Sequence, residues 1–178
     1  MTTATSAAYT GALLATQTRA RSVLTEGLAS GLTGALTVAL WFLLRDLIEG
    51  RPFHTPGALG HGLTALLKGG QGLAAAPDAP YAASMMYVWT VVHGVVFTGA
   101  GAVCSFLMNY ARRNPGWELY AVLLLATLGM WFTFLSMMLV GVLLSAVTIP
   151  DILIAHLLAT LTMGAYFWKR HPEVIAAL

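Results

Sequence analysis

Two histidines stand inside long apolar runs, His93 within Met85–Tyr110 and His156 within Ile152–Trp168. An ionisable group in hydrocarbon is costly, so each calls for a role. Imidazoles projecting from two helices that run the same way could clasp a b-type haem, and one alone could ligate the magnesium of a (bacterio)chlorophyll. His93 follows Trp89 by about one turn and His156 follows Pro150 by less than two. From that side both lie about 6–9 Å in, so they are expected to share a layer. Counted from the other side the depths disagree. His93 to Arg112 is 19 residues, about 28 Å, and His156 to Lys169 is 13, about 20 Å. The plain alternative is a histidine hydrogen-bonded to a neighbouring helix.

Glu26 is a third candidate, at the start of the first apolar run and near Arg21 or Arg113. A carboxylate in the first of four helices resembles the small multidrug exporters, which implies a proton- and cation-binding group. At a helix start it equally suits the N-terminal dipole, and the long loop after helix one departs from those exporters. Charge is densest at Arg45, Asp46, Glu49, Arg51 and His54, where Arg45 and Glu49 are spaced to pair. We read Arg45, Arg51 and His54 as a rim that orders the loop or docks a partner. His54 and His61 lack a Cys or carboxylate at a recognised spacing, so no metal site is expected. Nor is there a glycine-rich phosphate loop, a serine elbow or a His-Glu-x-x-His pair, and no catalytic residue is assigned.

The elements that must hold these groups are membrane helices. Of 178 residues, 58% are hydrophobic and only 9% charged, against about 25% charged in soluble domains. Four apolar runs, Leu28–Leu44, Met85–Tyr110, Tyr120–Thr148 and Ile152–Trp168, approach or exceed the ~17–25 residues that cross a bilayer. The expected fold is an all-α, four-helix transmembrane bundle over 23–170, between an N-terminal lead-in (1–22), flexible unless a partner orders it, and a tail (171–178). Arg19 and Arg21 follow the mildly apolar Ala12–Ala15 rather than precede it, which is the wrong polarity for a signal peptide. With four crossings, Arg19, Arg21, Arg112, Arg113, Lys169 and Arg170 share one side, and Arg45, Arg51 and Lys68 the other. That bias predicts a multi-pass protein with both termini cytoplasmic. A net charge of +2 leaves no nucleic-acid surface.

Helix one carries Gly27-x-x-x-Gly31-x-x-x-Ala35, spacing that lets a second backbone come close, either in an oligomer or within the bundle. Gly141-x-x-x-Ser145 and Ala155-x-x-x-Ala159 repeat the pattern. In the connection 49–80, Thr55-Pro56 reads as a cap and first turn. Leu59, Leu63, Leu66 and Leu67 then line one face of a short interfacial helix lying leucines down. Short connections after Ala111 and before Pro150-Asp151 predict helices two, three and four as sequential antiparallel neighbours. The element Trp41–Gly60, with its Gly-Arg-Pro-Phe-His-Thr-Pro step, resembles one found in small uncharacterised bacterial four-helix membrane proteins. That resemblance implies a recurring loop and brings no activity, cofactor or site residue.

Together these features predict a non-catalytic accessory subunit of a larger membrane complex, respiratory or photosynthetic. Its expected partners are larger membrane subunits and lipids. The alternatives are a small cytochrome or pigment-binding subunit using His93 and His156, with haem b or (bacterio)chlorophyll as cofactor, and a proton-coupled transporter using Glu26.

Overall fold

A computed structural model describes residues 2–143 and 147–176, with side chains placed for 21–138, 147–174 and 176. Its elements in chain order are helices α1 (Thr2–Ile48), α2 (His54–Leu67), a 3-10 turn (Leu73–Asp78), α3 (Ala83–Ala111), α4 (Glu118–Leu143), α5 (Ile149–Arg170) and α6 (Pro172–Ala176). The described residues contain no strand. Four segments are long and apolar enough to cross a membrane: Arg21–Ile48, Ala83–Ala111, Glu118–Met138 and Ile149–Arg170. The stretch expected as a flexible lead-in is helical backbone continuous with the first span.

α1 organises the bundle because its residues fall into rows four apart, which form ridges along a helix. One row, Glu26, Ser30, Gly34, Val38, Phe42 and Asp46, faces the protein interior, with Phe42 half-buried and a carboxylate at each end. The adjacent row, Gly27, Gly31 and Ala35, meets α3. A third, Leu24, Leu28, Leu32, Leu36, Leu40 and Leu44, stays exposed, as a lipid-facing ridge would. The small residues permit backbone contact. A methyl group at Gly27 would fall 2.5 Å from Ala102 Cα, one at Gly31 2.5 Å from Thr98 Cα, and one at Gly101 2.6 Å from Gly31 N. The small-residue ladder is therefore filled within the chain.

α5 packs on the same helix. Ala35 and Val38 join Phe97, Ala155 and Ala159 in the main core, and Thr37 Oγ1 lies 3.1 Å from Thr162 Oγ1. Ala155 and Ala159 thus sit at the α1–α5 contact, whereas the side chains of the Gly141/Ser145 pair lie outside the described residues. α3, α4 and α5 are neighbours in sequence order, as expected from the short connections, but α1 makes the dominant contacts, with α3 and α5, and α4 touches its neighbours less. Of the described α4 side chains only Ala121 is buried.

α2 is present with a different contact face from the leucine stripe. Gly57, Ala58, Leu59, Gly60, Gly62 and Ala65 are buried, and Gly60 abuts the Met85 carbonyl of α3. Leu66 and Leu67 are exposed. The glycine face wins because a backbone-to-backbone approach needs the smallest side chains, and leucines cannot provide one.

A methyl group at Gly101 must displace the backbone of α1, whereas one at Gly99 meets nothing within 4 Å. Gly101→Ala is expected to destabilise the bundle by about 1–3 kcal/mol, and Gly99→Ala to be neutral or mildly stabilising. Thermal unfolding in one detergent, scored by the monomer peak in size exclusion, checks both. Equal midpoints for the two variants would contradict the close contact.

Candidate functional site

The polar groups gather at three levels of the bundle. At one end, Glu26 Oε2 accepts from Ser105 Oγ at 3.2 Å, Asn109 Nδ2 at 3.3 Å and His171 Nε2 at 3.2 Å. Asn109 Nδ2 also donates to the Ser105 carbonyl, and Arg112 donates to Asn109 Oδ1 at 3.1 Å. The His171 side chain is 2% exposed, and Val174 of α6 is buried beside Met108, Ala111, Ala121 and Phe167. The segment expected as a tail is thereby folded onto the bundle. Three donors on one carboxylate oxygen satisfy the buried charge, leaving Oε1 with Ser22 Oγ at 3.5 Å. This is an interhelical lock joining α1, α3 and the α5–α6 corner. Arg21 and Arg113, the partners suggested by sequence, do not bond Glu26. His171, Ser105 and Asn109 were not singled out in the sequence, since the first stands 145 residues away.

The opposite end carries a second lock. Asp46, 2% exposed, accepts from Thr55 N at 2.8 Å and Thr55 Oγ1 at 2.6 Å. Thr55 is therefore not the cap of α2. Phe53 occupies that position with φ 62° and makes no side-chain cap. The carboxylate of Asp46 reaches across from α1 to serve the first-turn N–H instead, where negative charge also meets the helix dipole. Arg45 binds Asp151 of α5 in a two-pronged pair, Nε–Oδ1 2.9 Å and Nη2–Oδ2 3.4 Å. Arg51 contacts Glu49 at 2.8 Å and His54 at 3.3 Å, and His54 Nε2 reaches the Pro77 carbonyl at 2.9 Å. Arg45, Arg51 and His54 thus tie the loop to the bundle. Asp151 follows Thr148, whose hydroxyl caps α5, as expected for its Pro150-Asp151 start.

Between the locks lie His93 and His156. His93 Nε2 is 3.1 Å from the Ala35 carbonyl of α1, and His156 stands on α5 five residues past Asp151, the partner of Arg45. A carbonyl only accepts, so Nε2 of His93 carries the proton and is engaged. Axial ligation through that nitrogen would require this bond to break. His156 Nδ1 is 3.0 Å from Thr133 Oγ1. That hydroxyl also lies 2.9 Å from the Gly129 carbonyl; when it donates there, Nδ1–H donates to it and Nε2 keeps its lone pair. The aromatic contacts run His93–Phe97–Phe132–His156, with centroid separations of 4.7, 5.4 and 5.2 Å.

Among the described residues no group of three or more His, Cys, Asp or Glu side chains is placed to hold a metal ion. No protein-family model, curated protein or solved structure matches the chain.

Removing Asp46 strands the Thr55 N–H and hydroxyl. Asp46→Ala is expected to lower stability by about 1–3 kcal/mol, with the 49–80 connection becoming the first site of limited proteolysis. Asp46→Asn, which keeps one acceptor oxygen, should fall between. Unchanged protease resistance in Asp46→Ala would show that the loop is held some other way.

Proposed function

We propose that this chain is a non-catalytic accessory subunit of a larger membrane assembly, of the respiratory or photosynthetic kind, and that α4 is its docking helix. The observation that carries this reading is Trp131. The residue is 55% exposed, with its ring edge to face on Phe134. Thr133 stands level with His156, about 7.5 Å below the Arg45–Asp151 pair, and Trp131 is two residues further, at about 10 Å. Tryptophan favours the membrane interface, where its N–H finds water or headgroups. At this depth hydrocarbon offers no acceptor, and none of the described residues supplies one. A neighbouring subunit that accepts this hydrogen bond resolves the mismatch.

The rest of α4 fits the same role. Met130, Phe134, Leu135 and Met138 are exposed around Trp131, and the helix has little contact with its own chain. By contrast Glu26 holds three structural donors on Oε2, which fits a lock better than a transport site.

Extraction of the tagged chain from its own host membranes in mild detergent is expected to recover it with larger membrane subunits in fixed ratio. Trp131→Leu should release it from them while leaving its unfolding midpoint within about 0.5 kcal/mol, as for other surface changes. Recovery of the native chain alone, or an unchanged complex in Trp131→Leu, would overturn the reading.

A further inference from the structure

Beyond the glycine contact, α1 and α3 enclose a cavity of about 680 Å³, bounded also by α2, α4 and α5. Its mouth is marked by Leu36 and Leu40 of α1 and Val92 and Val96 of α3, which line it and are also exposed. These belong to the apolar, membrane-crossing faces, so the cavity opens sideways toward hydrocarbon rather than to water. Leu59 and Leu63 of α2 close it at the Asp46 end. Deeper in stand Phe97 and Phe132, edge to face at 85°, with His156 against Phe132.

We propose that this cavity binds a lipid-soluble hydroquinone, with its ring against Phe97 and Phe132 and a hydroxyl donating to His156 Nε2. Two features select that chemistry. First, the hydrogen bonds favour an acceptor on each neutral imidazole. His93 gives its Nε2 proton to the Ala35 carbonyl, and with the Thr133 hydroxyl donating to Gly129, His156 gives its Nδ1 proton to that hydroxyl. The remaining nitrogen of each ring is an acceptor, with no partner among the described residues. The ligand must therefore bring donors, which a quinone carbonyl, an ester or an acyl chain lacks. Second, the aromatic rings offer edge and face contacts suited to a flat ring, while the lateral mouth lets an apolar tail remain in the lipid. The site is independent of α4 docking, since its recognition groups lie inside the chain.

The test uses the full chain in lipid nanodiscs under anaerobic conditions. It is titrated with a decyl-substituted 1,4-benzohydroquinone and with the di-O-methyl ether of the same molecule. Trp89, which lines the cavity, reports binding by fluorescence, with Trp89→Phe as control. The hydroquinone is expected to saturate the Trp89 signal and the ether, with no donor, to bind about tenfold more weakly. His156→Phe should narrow the difference between the two ligands by weakening the hydroquinone alone, and Ala39→Phe, which fills the cavity, should abolish saturation. Equal affinity of both ligands for the native chain, or no saturation above empty nanodiscs, would overturn the proposal. The ligand comparison on the native chain decides the question even if His156→Phe does not fold.

Discussion

The backbone contact between α1 and α3, at Gly27 and Gly31 on one side and Gly101 and Ala102 on the other, is the constraint on which the rest of the bundle depends. Within lipid, apolar side chains gain little by leaving the solvent for one another, so association rests on close packing and interhelical hydrogen bonds. Glycine provides the first by letting two backbones touch. This fixes the register of α3 on α1, and that register brings Ser105 and Asn109 to Glu26 and His93 to Ala35. A shift of one residue would turn each of those side chains by about 100° and leave the carboxylate facing apolar groups. The packing contact and the polar lock are therefore mutually dependent.

The two locks also define the span. Glu26 and Asp46 lie twenty residues apart on one buried row of α1, about 30 Å, which matches the hydrocarbon thickness of a bilayer. Each carboxylate lies a few residues inside an end of the Arg21–Ile48 span, and each has donors from other elements: α3 and the α5–α6 corner at one end, Thr55 of α2 at the other. Removing either would leave several donors unsatisfied at once, so the locks resist sliding of α1 against its neighbours. Among its described residues α4 has neither a lock nor a glycine contact. These are held through Ala121, the Phe97–Phe132 ring contact, the Thr133–His156 bond and contacts with α2.

Much of the fold was legible because membrane helices announce themselves by length and apolarity: each of the four spans overlaps the run that marks it, although the third, expected over Tyr120–Thr148, is described as helix only to Leu143. The packing was less legible. Short loops specify which helices are joined, but the small-residue row on α1 decides which touch most, and a row of glycines does not name its partner. The period of four in Glu26, Ser30, Gly34, Val38, Phe42 and Asp46 was readable as a face, as was the matching leucine row. Their joint meaning needed the contact with α3. His171 was hidden for a different reason. A histidine between Arg170 and Pro172 reads as part of a polar tail until the chain turns back through α6. The partner of His93 was hidden as well, since a backbone carbonyl such as that of Ala35 leaves no mark in the side-chain pattern.

A cavity of this size between locked helices raises a packing question of its own. Protein interiors are close-packed, and an empty space loses dispersion contacts on every wall. The neighbouring elements could close it only by moving α1 against α3, which the glycine contact opposes at one end, or by moving α2, which Asp46 and Gly60 hold at the other. The space therefore persists as a consequence of the same contacts that define the bundle. Because its mouth lies among lipid-facing side chains, it is filled by whatever the membrane supplies. Acyl chains would satisfy its apolar walls but leave the acceptors of His93 and His156 bare in a medium without water. An occupant with both a flat ring and a hydroxyl satisfies walls and nitrogens together, and selection among membrane components follows from that difference.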